Sequence, residues 1–202
     1  MTWTIDKQFS FCYGHRVWVQ KLDAEYTENG DCSCKCRHLH GHEGLAHVFL
    51  ESEKLNDQAM VTDFKHLGWL KNFLDNNLDH KFIIDHNDPY FETMLVVPFF
   101  DAVNEGTSNK QYFLKHYCKP VFVPDTNVVV GHVVDMTGTD IKEGTPEFEV
   151  FEGYFIVDFV PTSENLSKWL FDVVNTKMKK LGVKTSRIDW FETPKSRSTY
   201  HG

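Results

Sequence analysis

Residues 3–11 alternate, with Trp3, Ile5, Phe9 and Phe11 on one side and Thr4, Asp6, Gln8 and Ser10 on the other. Period two is the signature of a strand with one apolar face, and such a face must be covered by a second layer. Two helical stripes supply that layer. Asp63 is placed to cap a first helix in which Phe64, Leu67, Leu70, Leu74 and Leu78 recur at steps of three and four. A second stripe runs through Leu166, Trp169, Leu170, Val173, Val174, Met178 and Leu181, with Gly182 as its stop. Residues 42–51 and 183–191 read as further strands, and the polar stretch 20–37, with a turn signal at Asn29-Gly30, reads as a loop. One-sided strands against amphipathic helices predict an α+β fold.

Residues 85–157 break this pattern. They carry Pro89, Pro98, Pro120, Pro124 and Pro146, short β-like runs such as Val128-Val129-Val130, and no apolar stripe of helical period. The expectation is one domain over 1–202, with 85–157 as a β-rich insertion between the two helices; an independent second domain is the less economical alternative.

Composition excludes several classes. The 202 residues carry 21 Lys+Arg against 29 Asp+Glu, a formal charge of -8. Such a chain has no general attraction for nucleic acid or an anionic membrane, although a local basic cluster could hold a phosphorylated small molecule. No apolar run approaches the roughly 20 residues that span a bilayer. The opening Met1-Thr2-Trp3-Thr4-Ile5-Asp6 lacks the basic and apolar regions of a secretory signal, which predicts a cytoplasmic protein. Thiols are reduced in that compartment, so Cys32, Cys34 and Cys36 read as metal-binding or reactive before they read as disulfides.

The chemistry concentrates around His38-Leu39-His40-Gly41-His42. In a strand His40 and His42 share a face and can reach one cation. With eleven His in the chain the bare H-x-H spacing is weak evidence. His15, just past the first strand, becomes a third donor if the ends of the first two strands meet; otherwise it is a surface turn residue. Three neutral imidazoles with an open position are the ligand set of a catalytic zinc. Cys36 lies four residues before His40, and a thiol beside a dication and near Arg37 ionises more easily, fit for a base or nucleophile. The competing reading gives all three cysteines, with a histidine, to a structural metal. Asp79-His80 can be an oriented acid–base pair or a helix end. Glu192, inward-facing with Ile188 and Trp190, needs a partner or reaches water at the strand end. Glu164 can hold a ligand or simply complement the helix dipole.

In order and spacing, FSFCYGHRV at 9–17, CRHLHGH at 36–42, VTDF at 61–64, LDH at 78–80, PTSENLSKW at 161–169 and FETP at 191–194 resemble the 6-pyruvoyl-tetrahydropterin synthase / 6-carboxy-tetrahydropterin synthase family. The resemblance covers about 130 residues, everything but the insertion. It implies a T-fold, an antiparallel sheet with two helices, assembled as a homo-oligomer, usually a hexamer, with active sites between subunits. It implies Zn2+ on His15, His40 and His42, Cys36 as the proton-abstracting base, and Asp79 and His80 completing a relay across a subunit interface. It places Glu192 in the relay near the pterin, and Thr162, Ser163 and Glu164 on the pterin's donor edge. The implied substrate is 7,8-dihydroneopterin triphosphate.

Two branches differ in the gap between the base cysteine and HGH: three residues in the carboxy-forming enzymes, commonly five in the pyruvoyl-forming ones. Cys36 has the first spacing and Cys34 the second. CRHLHGH is more similar to the carboxy-forming pattern, which implies conversion to 6-carboxy-tetrahydropterin, acetaldehyde and triphosphate, in the route to queuosine and other 7-deazapurines. The pyruvoyl-forming reaction, and a T-fold that binds pterin or metal without catalysis, stay open at this point.

Overall fold

The computed structural model describes residues 2–106 and 108–202. Among them, eight strands form one sheet in the order β4-β5-β6-β3-β1-β2-β7-β8. β1 (Trp3–His15) pairs antiparallel with β2 (His40–Ser52), and β2 with β7 (Lys184–Thr193). β3 (Lys81–Asp85) lies parallel to β1 on its other side. The alternation read at 3–11 runs on to His15, with Phe9, Phe11, Tyr13 and His15 all buried.

That buried face is covered by α1 (Gly68–Asn77) and α5 (Ser163–Met178). Asp63 caps a 3-10 turn, Phe64–Leu67, by accepting from Lys65 N at 2.7 Å, and the α-helix follows it. Thr162 caps α5 by accepting from Asn165 N at 3.2 Å. Leu70 and Leu74 from α1, and Leu166, Leu170, Val173 and Val174 from α5, meet Ala46, Val48, Leu50, Ile188 and Trp190 of the sheet in one apolar cluster. Burying each such side chain stabilises the fold by roughly 1.5–3 kcal/mol. Gly182, at φ +71, ends the helical run at the position where a left-handed residue closes it.

The stretch 85–157 is mixed, not purely β-rich. β4 (Cys118–Phe122), β5 (Val129–Val134) and β6 (Tyr154–Val157) extend the sheet beyond β3. Helical segments stand between them: a π-helical stretch, Glu92–Val96, running into α2 (Val97–Ala102), then α3 (Lys110–His116) and α4 (Pro146–Glu152). α3 and α4 were illegible because each spans fewer than two full turns, too short for an apolar stripe, and α4 has a proline in its first turn, where helices tolerate it. The run into α2 does carry a stripe, Phe91, Leu95, Val96, Phe99 and Phe100, which the expectation of no helical stripe in 85–157 overlooked across Pro98. Their aromatics, Phe91, Phe99, Phe100, Phe113 and Phe151, form a second cluster with Ile84 of β3 and Ile156 of β6. The loop expected at 20–37 holds three short 3-10 turns. The C-terminal strand β8 (Ser196–His201), which pairs with β7, is polar enough to escape a hydrophobic pattern.

No helix among the described residues is long and apolar enough to cross a membrane.

Candidate active site

The β1–β2 register sets His15 directly opposite His40, and Tyr13 opposite His42. Opposed residues share a face, so three imidazoles gather where the two strands begin to part. Ring centroids are 4.6 Å apart for His15–His40, 5.1 Å for His15–His42 and 5.0 Å for His40–His42. One ring nitrogen from each lies within 4.8 Å of the others. His15 is 1% exposed, so it is not a surface turn residue.

Two backbone carbonyls orient the rings. Pro161 O accepts from His15 Nδ1 at 2.6 Å, and His38 O from His40 Nδ1 at 2.8 Å. A carbonyl can only accept, so each Nδ1 carries the proton and each Nε2 presents its lone pair. Nε2 of His15 and of His42 are buried with no hydrogen-bond partner among the described residues. An orphaned buried nitrogen costs about 1–3 kcal/mol. Burial holds His15 down to about 4, aided against the Pro161 bond by the nearby His40 and His42. His42 is lowered by burial and then by His40. Neutral, inward-aimed imidazoles lacking partners are what a divalent cation requires, so the residues fit a zinc ion.

An aromatic wall supports the triad. The Tyr13 ring is 5.2 Å from His15 and 5.7 Å from His42. Its hydroxyl accepts from Trp190 Nε1 at 2.9 Å, and burial keeps the phenol protonated. Sequence reasoning missed Tyr13, although its position two residues before His15 puts it on the same face. Gly14 lets β3 approach: a Cβ there would lie 2.7 Å from the Phe82 ring.

Cys36 sits in a 3-10 turn (Lys35–Arg37) tied to the end of β1 by Val17 N donating to Cys36 O at 2.8 Å. Burial raises its thiol first, then the hydrogen bond and charge of Cys34, then the charge of Glu192. The protein by itself therefore disfavours the thiolate, and the opposing influence has to come from a nearby positive charge. None of Cys32, Cys34 and Cys36 belongs to a metal-competent group among the described residues, which removes the three-thiol structural site.

Glu192 of β7 brings Oε1 to 3.7 Å from His15 Nε2, beyond hydrogen-bond reach. Burial raises its carboxyl, Glu164 raises it further, and His40 opposes. Two carboxylates thus face one space. Glu164 stands in the first turn of α5, where Ser163 Oγ donates to its Oε2 at 3.4 Å and Ser198 Oγ donates to Ser163 O at 2.5 Å. A recess of about 670 Å3 runs along His42, Phe191, Glu192 and Pro194. A second, of about 610 Å3, lies between Arg16, Arg37, His38 and Tyr90.

Asp79 and His80 do not join this group. Cys12 N donates to Asp79 Oδ1 at 2.7 Å, and Asp79 Oδ2 stands 3.1 Å from His80 Nδ1. The Cys12 amide, more than His80, holds the Asp79 carboxyl low. Cys12 and His15 are an odd number of residues apart on one strand, so the pair occupies the opposite face of the sheet.

The model of a family described as 6-pyruvoyl tetrahydropterin synthase matches residues 4–202. The chain belongs to the 6-pyruvoyl tetrahydropterin synthase family. Its sheet and helices have the T-fold of that family. A 6-carboxy-5,6,7,8-tetrahydropterin synthase of Aquifex aeolicus is 28% identical over 99% of this chain and 98% of its own length. The crystal structure of an uncharacterized protein from Wolinella succinogenes superposes with a TM-score of 0.81 at 39% identity, covering 100% of this chain and 99% of that one. A 6-pyruvoyltetrahydropterin synthase from Plasmodium vivax matches at TM-score 0.52 and 12% identity over 100% and 98% of the two chains, a likeness of fold alone.

Proposed function

We propose that this 6-pyruvoyl tetrahydropterin synthase family member is a zinc-dependent 6-carboxy-tetrahydropterin synthase acting on 7,8-dihydroneopterin triphosphate. The observation that carries the reading is the convergence of three imidazoles, two oriented by backbone carbonyls and two with orphaned Nε2 atoms, near a half-buried thiol and a pair of carboxylates. His15, His40 and His42 would hold the metal. When bound, zinc supplies a Lewis acid for the substrate's side-chain oxygens and a positive charge that favours the Cys36 thiolate.

The remaining work falls to the chain. Glu164 and Glu192, whose charges repel when the site is empty of ligand, are relieved by a donor-rich pterin edge, so they bind and orient the ring. The recess beside Arg37 accepts the triphosphate, whose charge that exposed guanidinium complements, while Arg16, paired with the buried Asp88 at 3.1 Å, shapes its wall. Cys36 Sγ takes a carbon-bound proton from the side chain, the electrons of that bond pass into the ring and reduce it, and triphosphate leaves. Water then cleaves the bond between the two side-chain carbonyl carbons, leaving the carboxylate on the ring and releasing acetaldehyde. Asp79 and His80, on the far face of their own sheet, serve the site of a neighbouring subunit as a proton relay. This makes the active form a homo-oligomer. We also read residues 1–202 as one domain, since β6, β3 and β1 continue a single sheet from 85–157 into the rest of the chain. A cytoplasmic location accords with these free thiols.

Two features favour the carboxy-forming branch. The Aquifex relative bearing that name aligns over almost the whole chain. Cys36, with three residues before HGH, is also nearer the triad by sequence than Cys34. Incubating the zinc-loaded protein with 7,8-dihydroneopterin triphosphate and analysing products by mass spectrometry tests it. The expected products are 6-carboxy-tetrahydropterin and acetaldehyde. A pyruvoyl pterin without aldehyde would move the protein to the other branch, and unchanged substrate would leave a binding protein.

A further inference from the structure

The groove on the outer face of the sheet holds a second group of potential ligands, separate from the histidine triad. Cys12 Sγ, a carboxylate oxygen of Asp79 and a ring nitrogen of His80 all lie within 4.8 Å of one another. Backbone contacts hold the three together: Cys12 N donates to Asp79 Oδ1, and His80 N donates to Cys12 O at 2.7 Å. His80 takes φ +59, uncommon for a residue with a side chain, and this turns the chain so that its ring stands over Asp79. Glu43 is directly opposite Cys12 in the β1–β2 pairing and lines the same open groove of about 660 Å3. Opposed side chains have Cβ atoms about 5 Å apart, so the Glu43 carboxylate can reach the group as a fourth donor. The nearby lysines are engaged elsewhere: Lys71 pairs with Asp75, and Lys81 donates to Glu152 O at 2.8 Å.

We propose that Cys12, Asp79 and His80, with Glu43 as fourth donor, form a second site for a borderline divalent cation such as zinc or cadmium. A thiolate, an imidazole and carboxylates are the donors zinc takes in tetrahedral sites, and the sulfur selects against magnesium and calcium. The group carries net negative charge once the thiol ionises, so a dication neutralises it. Cys12 and His80 are exposed on the single chain, unlike the buried His15, and in the proposed homo-oligomer they face the neighbouring subunit. One consequence rests on the function proposed above: if Asp79 and His80 form the relay, filling this site removes both from proton transfer, and excess metal inhibits the enzyme.

The test uses the full-length, metal-stripped protein with Cys32, Cys34 and Cys36 replaced by Ser, so that Cys12 is the accessible thiol. Cadmium is added to saturation, and cadmium per chain and the ultraviolet thiolate-to-cadmium charge-transfer band are measured. The expected result is two cadmium ions per chain with the band present. Cys12→Ser in the same background takes one ion and loses the band, whereas a His40→Ala/His42→Ala variant takes one ion and keeps it. Asp79→Asn, which leaves the thiol in place, weakens the band-associated binding about tenfold or more. A single ion per chain without the band, or a band untouched by Cys12→Ser in protein of normal circular dichroism, overturns the second site. Loss of the triad reading has a different signature: the His40→Ala/His42→Ala change alters nothing while Cys12→Ser still abolishes the band.

Discussion

Replacing His42 with Phe separates the two states of the histidine triad, because the ring is a liability without metal and a ligand with it. In the metal-free protein His42 Nε2 is buried and makes no hydrogen bond among the described residues. Phe keeps a ring of similar size beside Tyr13, 5.7 Å away, and removes the orphaned nitrogen. The gain is about 1–3 kcal/mol of stability in the metal-free protein. For a chain of this size each kcal/mol moves the melting temperature by about 2–4 °C. Zinc at about a thousand times its dissociation constant stabilises the native protein by about 4 kcal/mol, or roughly 8–16 °C. Calorimetry in chelator and in zinc therefore has a crossed outcome. In chelator the His42→Phe protein melts higher than the parent; in zinc it lacks the triad's share of the gain, and the parent overtakes it. A variant that melts lower than the parent in chelator, or that gains as much from zinc as the parent does, would refute the assignment of His42 Nε2 as an unsatisfied ligand atom.

The same electrostatics predict a pH dependence. His15 falls from an ordinary 6.5 to about 4 in the folded protein, so the unfolded chain binds its proton first. The metal-free protein should lose about 3 kcal/mol as pH falls from about 6.5 to about 4, a loss that His15→Gln removes from the chemical-denaturation profile. Cys36→Ala should reduce turnover by at least about a hundredfold while metal content stays unchanged, since the thiol is outside the ligand triad; undiminished turnover would take the base role from Cys36. Glu192→Gln should weaken pterin binding by about 10-fold in a fluorescence titration and lift the repulsion on Glu164, through loss of one charge-assisted bond. Gly14→Ala should destabilise the protein by about 1–3 kcal/mol in urea denaturation, because the added methyl has to displace the Phe82 ring that bridges β1 and β3.

The parts of the fold legible in the sequence were those whose pattern is local and long. β1 repeats its alternation over enough residues to be unambiguous, and α1 and α5 carry stripes of several turns. The insertion was only half legible. Its strands are carried by runs such as Val128-Val129-Val130, but α3 and α4 are too short to repeat an apolar position, and the stripe Phe91, Leu95 and Phe99 that runs into α2 is masked by Pro98. They are fixed instead by the packing of Phe99, Phe113 and Phe151 against one another. Likewise β8 is specified by pairing with β7 rather than by its own residues, which are mostly polar.

The candidate site divides the same way. HGH and the base-like Cys36 are visible as spacing, because ligands two residues apart on a strand share a face whatever surrounds them. Tyr13 and Trp190 were not, because the hydrogen bond between them joins positions 177 residues apart. The expectation that Asp79 and His80 act from another subunit came only with the family resemblance; the structure adds that Asp79 accepts from Cys12 N, on the face of β1 away from His15.

Sequence alone determined which donors this protein carries and on which elements, since residue type and local period are properties of the chain itself. Only the tertiary structure decided how they meet. The β1–β2 register brings His15 to His40, burial strips His15 of its proton, and the alternation of strand faces sends Cys12, Asp79 and His80 to the other side of the sheet. Those are consequences of long-range pairing and of desolvation, and neither is encoded within a window of neighbouring residues.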